Sequence, residues 1–363
     1  MQAPMSRENM IRGVILFTLF TLVGLLIIFL GFDTQKSIEN KTEDLIQVFL
    51  GLRFEFLLGA CVCMFLDWLC GGLRFHIFIR IVAPTIKFRD SCRAILATTC
   101  VSAITPFQTG GVGHLYIYAR SGAPLSGAIT AGIAAFLSTL TILFLSASGI
   151  LLLDPEWIPK GTTWISLFSF LIFGLVFITF LLLLFKPEIV SRIFYWLSDR
   201  VGKWFKPIAP YLERAKLKVE QITTEHRTFA RDLLQNHKWT YLFSLVLTCG
   251  FFAARIVAAY FVIRAFNVNE HASLWDLCIV ELLYNFVVLF MPTPGASGFA
   301  EGTKSVLMKS LISAKFITPF VLLNRFFSVY CGVIAGGIVI ALQLTKDFKK
   351  SKKDIAKAAV SQT

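Results

Sequence analysis

Apolar residues run in long blocks along this chain, and polar residues collect between them. Blocks at 12–31, 53–73, 124–153, 164–185, 240–264 and 318–344 each hold close to the ~20 residues that a helix needs to cross about 30 Å of hydrocarbon. Two further apolar stretches, 94–118 and 275–314, are interrupted. The first contains ILATTCVSAITPFQTGGVGHLYIYARSG and breaks at Pro106 and Gly110-Gly111. The second contains NFVVLFMPTPGASGFAEGTKSVLMKSL; it stops at Pro292-Thr293-Pro294-Gly295 and resumes after Gly298 with Glu301 at the head of a new helical pattern. The pattern predicts an all-α polytopic membrane protein of about six full spans with two broken helical hairpins. The first block has no small-residue cleavage site before Asp33, so a retained helix is expected there and not a cleaved signal peptide.

Charge decides the arrangement. Of 363 residues, 56% are hydrophobic and only 16% charged, too few to clothe a soluble domain. The net charge of +13 gathers at Arg74, Arg80, Lys87, Arg89 and Arg93, along Lys186 to Lys238, and in the tail from Lys346 to Lys357. Asp33, Glu39, Glu43 and Asp44, and again Asp154 and Glu156, mark the opposite side. This is a positive-inside pattern and not a nucleic-acid surface; it places both termini in the cytoplasm. It also requires 94–120 to begin and end inside and 275–314 to begin and end outside. The result is two opposed re-entrant hairpins in inverted halves, about 12–153 and 164–344, with Gly110 and Gly113 matching Gly295 and Gly298 in spacing. Paired interrupted segments in inverted halves point to a transporter's binding site. Segment 186–239, with Ile193, Trp196, Leu197 and Trp204 among its charges, suits a basic amphipathic linker at the inner headgroup layer or a docking site for a partner. Residues 345–363 form a basic cytoplasmic tail. The eight cysteines include no CxxC pair and nearly all lie in apolar stretches, as small hydrophobes do.

The breaks carry the candidate chemistry. Backbone groups released by a broken helix cost several kcal/mol each if they face lipid, so protein or a water-filled cavity must receive them. Two breaks entered from opposite sides imply one polar chamber near the midplane. A half-helix beginning after Gly298 would offer free amides to an anion such as a lipid phosphate. Glu281, Glu301, Arg255, Arg325 and Arg120 fall in or beside apolar segments, where charges face a bundle interior or cavity. The alternatives are a static Glu-Arg pair that pins helices and glycines that only permit tight packing. His114 could relay a proton, donate to a headgroup, or be structural. Asp67 could pair with Arg74. No metal-ligand set and no GxxxxGK[ST] run is present, so neither a cofactor nor P-loop ATP hydrolysis is expected.

The segments ITPFQTGGVGHLYIYARSGAPLSGAI at 104–129 and MPTPGASGFAEGTKSVLMKSL with LLNRFFSVYCGVIAGG within 291–337 resemble the flippase-like family named for the transmembrane region of lysylphosphatidylglycerol synthases. The resemblance implies a lipid-translocating module of bacterial or archaeal cell membranes. In better-understood members this module moves aminoacylated phosphatidylglycerol and is joined to a soluble aminoacyl-transferase domain. Only the basic tail follows residue 344, so synthase activity is not expected of this chain and a lysyl-lipid cargo is not implied. The matching positions are Pro106, Gly110, Gly111, Pro292, Pro294, Gly295, Gly298, Glu301 and Arg325, with Ala296 standing where many relatives carry glycine. The expectation is a transporter, not an enzyme, whose partner is a membrane lipid with an anionic or polyprenyl-phosphate headgroup; a homo-oligomer is compatible. A membrane glycosyltransferase using Asp33, Glu39, Glu43 or Asp44, and a scaffold acting through 186–239, are the alternatives.

Overall fold

Prolines and glycines set where the helices stop. The computed structural model describes Leu22 and residues 45–105, 109–153, 163–204, 209–266, 272–289 and 291–360; within them every regular element is a helix. In order these are α1 (Phe54–Val82), α2 (Phe88–Ile104), α3 (Gly111–Arg120), α4 (Leu125–Leu153), α5 (Thr163–Phe185), α6 (Pro187–Trp204), α7 (Ala209–Asn236), α8 (Lys238–Ala265), α9 (Leu274–Val288), α10 (Phe299–Met308), α11 (Ala314–Arg325) and α12 (Cys331–Val360). α1 ends at the residue pair before Pro84, since a residue preceding proline is driven out of the helical region. Pro187 starts α6, as suits a ring that lacks an N–H, and the chain bends by 103° there on leaving α5.

Four described helices are long and apolar enough to cross a membrane: Phe54–Val82, Leu125–Ile150, Lys238–Ala265 and Ala314–Asp347. Each covers one of the predicted blocks. The block at 164–185 is helical as α5, and the block at 12–31 lies outside the described residues apart from Leu22. α1 departs from expectation: it continues nine residues past the predicted end at 73, so Arg74 lies inside a spanning helix and not in a basic loop. Its charge had been read as an end of the apolar run.

α4 is the central helix, with 56% of its apolar window inside the protein against 11% for the window in Ala314–Asp347. Lipid tails supply no hydrophobic preference between helices, so small side chains and interhelical hydrogen bonds hold the bundle. Ala128, Ala131, Ala134 and Ala135 make a buried small-residue face on α4. Its hydroxyls reach its neighbours: Ser138 to Ser244 on α8 at 2.8 Å, Thr141 to Tyr241 at 3.0 Å, and Thr139 to Arg74 on α1 at 2.7 Å. α1 packs along α8 through Ala60, Ala259 and Val262. α12 lies against α2 at Gly336, where an added Cβ would come within 2.1 Å of the Leu96 carbonyl oxygen.

The linker divides its roles. α6 leaves Ile189, Ile193, Trp196, Leu197 and Val201 exposed at helical spacing, an apolar stripe that fits the expected headgroup-layer helix. α7 docks on the bundle instead. Ser126 donates to Glu225 at 2.5 Å, His226 Nδ1 lies 2.7 Å from Thr130 Oγ1, and His226 Nε2 donates to the Leu183 carbonyl at 2.9 Å.

Burial pushes the His226 imidazole below its ordinary value of 6.5. Its docking contribution is therefore complete above that value and is lost as pH falls through it toward the lower value held in the fold. Thermal unfolding of the purified protein should show stability falling as pH drops below about 6.5, and His226→Gln should flatten that part of the profile. An unchanged profile in the variant would remove His226 as the cause.

Candidate functional site

The two broken segments meet at one cavity of about 800 Å³. Thr98 and Ser102 of α2 and Gly111 and His114 of α3 line it from one side; Glu281, Tyr284 and Asn285 of α9, Gly295 of the break, and Asn324 and Arg325 of α11 line it from the other. α1 and α8 contribute Asp67, Arg74 and Arg255.

The local geometry of the second break follows its sequence. Proline at 294 and glycines at 295 and 298 stop α9 from continuing, and Gly295 (φ 58°) and Gly298 (φ 85°) take left-handed conformations natural to glycine. Ala296 shares that region at φ 54° although it carries a Cβ, and it is fully buried. Glu301 then reaches back, its Oε2 accepting from the Gly298 N–H at 2.6 Å, the third-position half of a capping box. Its Oε1 lies 2.8 Å from Arg325 Nη2, and both side chains are nearly inaccessible. Arg325 also reaches toward the Gly295 carbonyl and the Ser297 hydroxyl at 3.4 Å each. The expected Glu301 and Arg325 pair is thus present. At the start of α10 Glu301 takes the Gly298 amide, so that one donor is not available to an anion.

Two further ion pairs and Arg74 complete the charged surroundings of the cavity. Asp67 Oδ1 accepts from Arg255 Nε at 2.8 Å and not from Arg74, as its position two turns away had suggested. Glu281 is held by Lys304 at 2.5 Å, and that ammonium sits 3.8 Å from the centre of the Tyr284 ring. Arg74 donates to Thr139 at 2.7 Å and to Thr248 at 3.3 Å.

The remaining predicted residues divide. His114 lines the cavity with both ring nitrogens buried, wedged against Gly132, where a Cβ would lie 2.5 Å from its Nε2. Gly110 and Gly113 are packing positions: a Cβ at the first would collide with the Thr98 carbonyl at 2.3 Å and one at the second with that of Ala97 at 2.6 Å, so they seat α3 on α2. Arg120 is not in the cavity; it is half-exposed and pairs with Asp347 at 2.9 Å, because α3 ends beside the last turns of α12. Pro294 is buried at the break and Pro292 is exposed. Pro106 lies outside the described residues. Sequence reasoning passed over Lys304 and Asn285 and left Arg74 out of the site, naming it only as a loop charge and a possible partner of Asp67. Asp67 and Arg74 share a helix face by their spacing of two turns, and Lys304 follows Glu301 by one turn in an apolar segment, which were the available signals.

An alanine in the left-handed region costs about 1–2 kcal/mol relative to glycine. Ala296→Gly should raise unfolding stability by roughly 1 kcal/mol in a thermal or denaturant assay of the purified protein. A loss of stability would show that the methyl group's packing outweighs the backbone cost.

The wider likeness of the chain agrees with its architecture. No curated protein matches it. Residues 21–336 match the family described as the lysylphosphatidylglycerol synthase TM region, and this span contains α1 to α11, both breaks and the charged lining of the cavity. The chain belongs to the lysylphosphatidylglycerol synthase TM region family.

Proposed function

We propose that the protein moves a phospholipid or polyprenyl-phosphate-linked headgroup between the leaflets of the cell membrane, as a flippase or scramblase-like transporter. The observation that carries this reading is the meeting of both broken segments at one charged cavity of about 800 Å³. That volume lies within the ~300–1,000 Å³ of small-molecule sites and leaves room for a headgroup. Membership of a family whose description names the membrane region of a lipid synthase supports lipid handling. The cargo crosses without covalent change.

In this reading six spans and two re-entrant hairpins make inverted halves. The α2–α3 hairpin enters from the cytoplasmic face and the α9–α10 hairpin from the opposite face, as the distribution of Lys and Arg requires. Arg255 and Arg325 present guanidinium forks suited to a phosphate. Asp67 and Glu301 hold those forks while the site is empty. The acyl chains trail through a lateral gap, and a small tilt of one half against the other opens the cavity to each leaflet in turn.

Single-cysteine variants of the full chain, made without its native cysteines and reconstituted in vesicles, test both parts. Thr85→Cys and Ser313→Cys stand at exposed sites and should label from opposite faces. Ser328→Cys, in the cavity wall, should move a fluorescent phospholipid at the parent rate until a bulky maleimide is attached, then lose most of that rate. Labelling of 85 and 313 from one face contradicts the inverted plan. Unchanged lipid movement after plugging contradicts the cavity route.

A further inference from the structure

The charges around the cavity do not balance. Asp67, Glu281 and Glu301 each have one cation within 2.8 Å, namely Arg255, Lys304 and Arg325. Arg74 is the fourth cation, and among the described residues no carboxylate pairs with it. Four cations against three carboxylates leave one positive charge in a site walled largely by apolar side chains.

Arg74 is not a surface side chain that water could satisfy. It is only 5% exposed, it lines the cavity, and its Nε is buried without a hydrogen-bond partner. It contacts two threonine hydroxyls, both through one terminal nitrogen, and the face of Phe251 at 5.0 Å. The same Phe251 ring carries Arg255 at 4.2 Å. One aromatic ring therefore gathers two guanidiniums, and Asp67 supplies a single carboxylate to both, bonded to Arg255. Guanidinium is not deprotonated in proteins, so the excess charge persists at every physiological pH. A buried, unpaired cation is strongly disfavoured unless a partner arrives.

We propose that Arg74 is the cargo-recognition residue and that the seated headgroup is a phosphodiester of net charge −1 without a compensating amine. The inference rests on the transport reading for the word cargo, but the recognition itself requires only binding. A phosphodiester oxygen placed beside Arg74 and Arg255 neutralises the surplus charge and accepts from donors that now lack partners. Two lipid classes share this chemistry: phosphatidylglycerol and a polyprenyl-phosphate-linked sugar. A zwitterionic headgroup such as phosphoethanolamine brings its own ammonium into a site that already holds surplus positive charge. A lysyl ester of phosphatidylglycerol, with a net charge of +1, is disfavoured further.

The test is equilibrium displacement of fluorescent phosphatidylglycerol from the purified full chain in detergent. The competitors are phosphatidylglycerol, a polyprenyl-phosphoryl hexose, phosphatidylethanolamine and lysylphosphatidylglycerol. The expected result is displacement by the two phosphodiester monoanions at concentrations at least tenfold lower than by the other two; whichever monoanion acts at the lower concentration identifies the source. Arg74→Gln should erase this preference, and Arg74→Lys, which restores the charge, should recover most of it. Wild-type protein that binds phosphatidylethanolamine or the lysyl ester as tightly as phosphatidylglycerol overturns the proposal whether or not the variants fold. So does a folded Arg74→Gln protein with the preference intact. The same lipids in a vesicle assay separate the two claims: selective binding with no movement sinks transport and leaves recognition, while equal movement of all headgroups sinks recognition and leaves transport.

Discussion

One buried carboxylate closes the break on which this architecture depends. Where α9 stops at the Pro-Gly turn, backbone donors and acceptors lose their helical partners in a region where water is scarce, and each left unmade costs several kcal/mol. Glu301 takes the Gly298 amide at 2.6 Å and holds Arg325 at 2.8 Å, with neither charge accessible. Arg325 in turn reaches back toward Gly295 and Ser297. A single pair thus ties the start of α10, the end of α11 and the turn between α9 and α10 into one unit. The cavity has a wall there because this unit holds.

The same economy of polar groups governs the rest of the bundle. α4 reaches α1, α7 and α8 through serine and threonine hydroxyls, which also return hydrogen bonds to their own helix and so remain satisfied. Such bonds average only about 0.6 kcal/mol in membrane proteins, so they align the helices more than they bind them. Close approach of small residues, as where Gly336 of α12 meets α2, supplies the contact area. The pairs Asp67–Arg255 and Glu281–Lys304 join α1 to α8 and α9 to α10, with Asp67, Arg255 and Glu281 lining the cavity.

Much of the helical plan was legible in the sequence, because twenty apolar residues in lipid have few options. The second break was also legible: two prolines and two glycines within seven residues leave the backbone no regular path, and Gly295 and Gly298 do adopt left-handed conformations. What failed did so for a common reason. Hydropathy treats an ionisable residue as a helix end, so α1 was cut before Arg74, although a threonine hydroxyl from each of two neighbouring helices receives that side chain. Partner choice was invisible for the same reason: Asp67 joins Arg255 across two helices, Glu281 joins Lys304, and Arg120 joins Asp347 in what reads as a basic tail. Ala296 looked like a minor change from glycine, but its φ of 54° places it where a Cβ is costly. At the helix start after Gly298, Glu301 accepts from the Gly298 amide, so one donor that looked open in the sequence is taken.

In the transport reading, the charge of the Glu301 and Arg325 pair serves lipid movement as well as packing. Breaking a buried pair leaves an uncompensated charge and typically costs 3–5 kcal/mol, whereas replacing both partners by neutral groups of similar shape is often tolerated. The decisive measurement compares Glu301→Gln, Arg325→Met and the double variant for stability and for headgroup movement in vesicles. If the charge serves transport, both single variants are unstable, and the double variant folds near parent stability yet moves lipid far more slowly. A double variant that folds and moves lipid at the parent rate would contradict it.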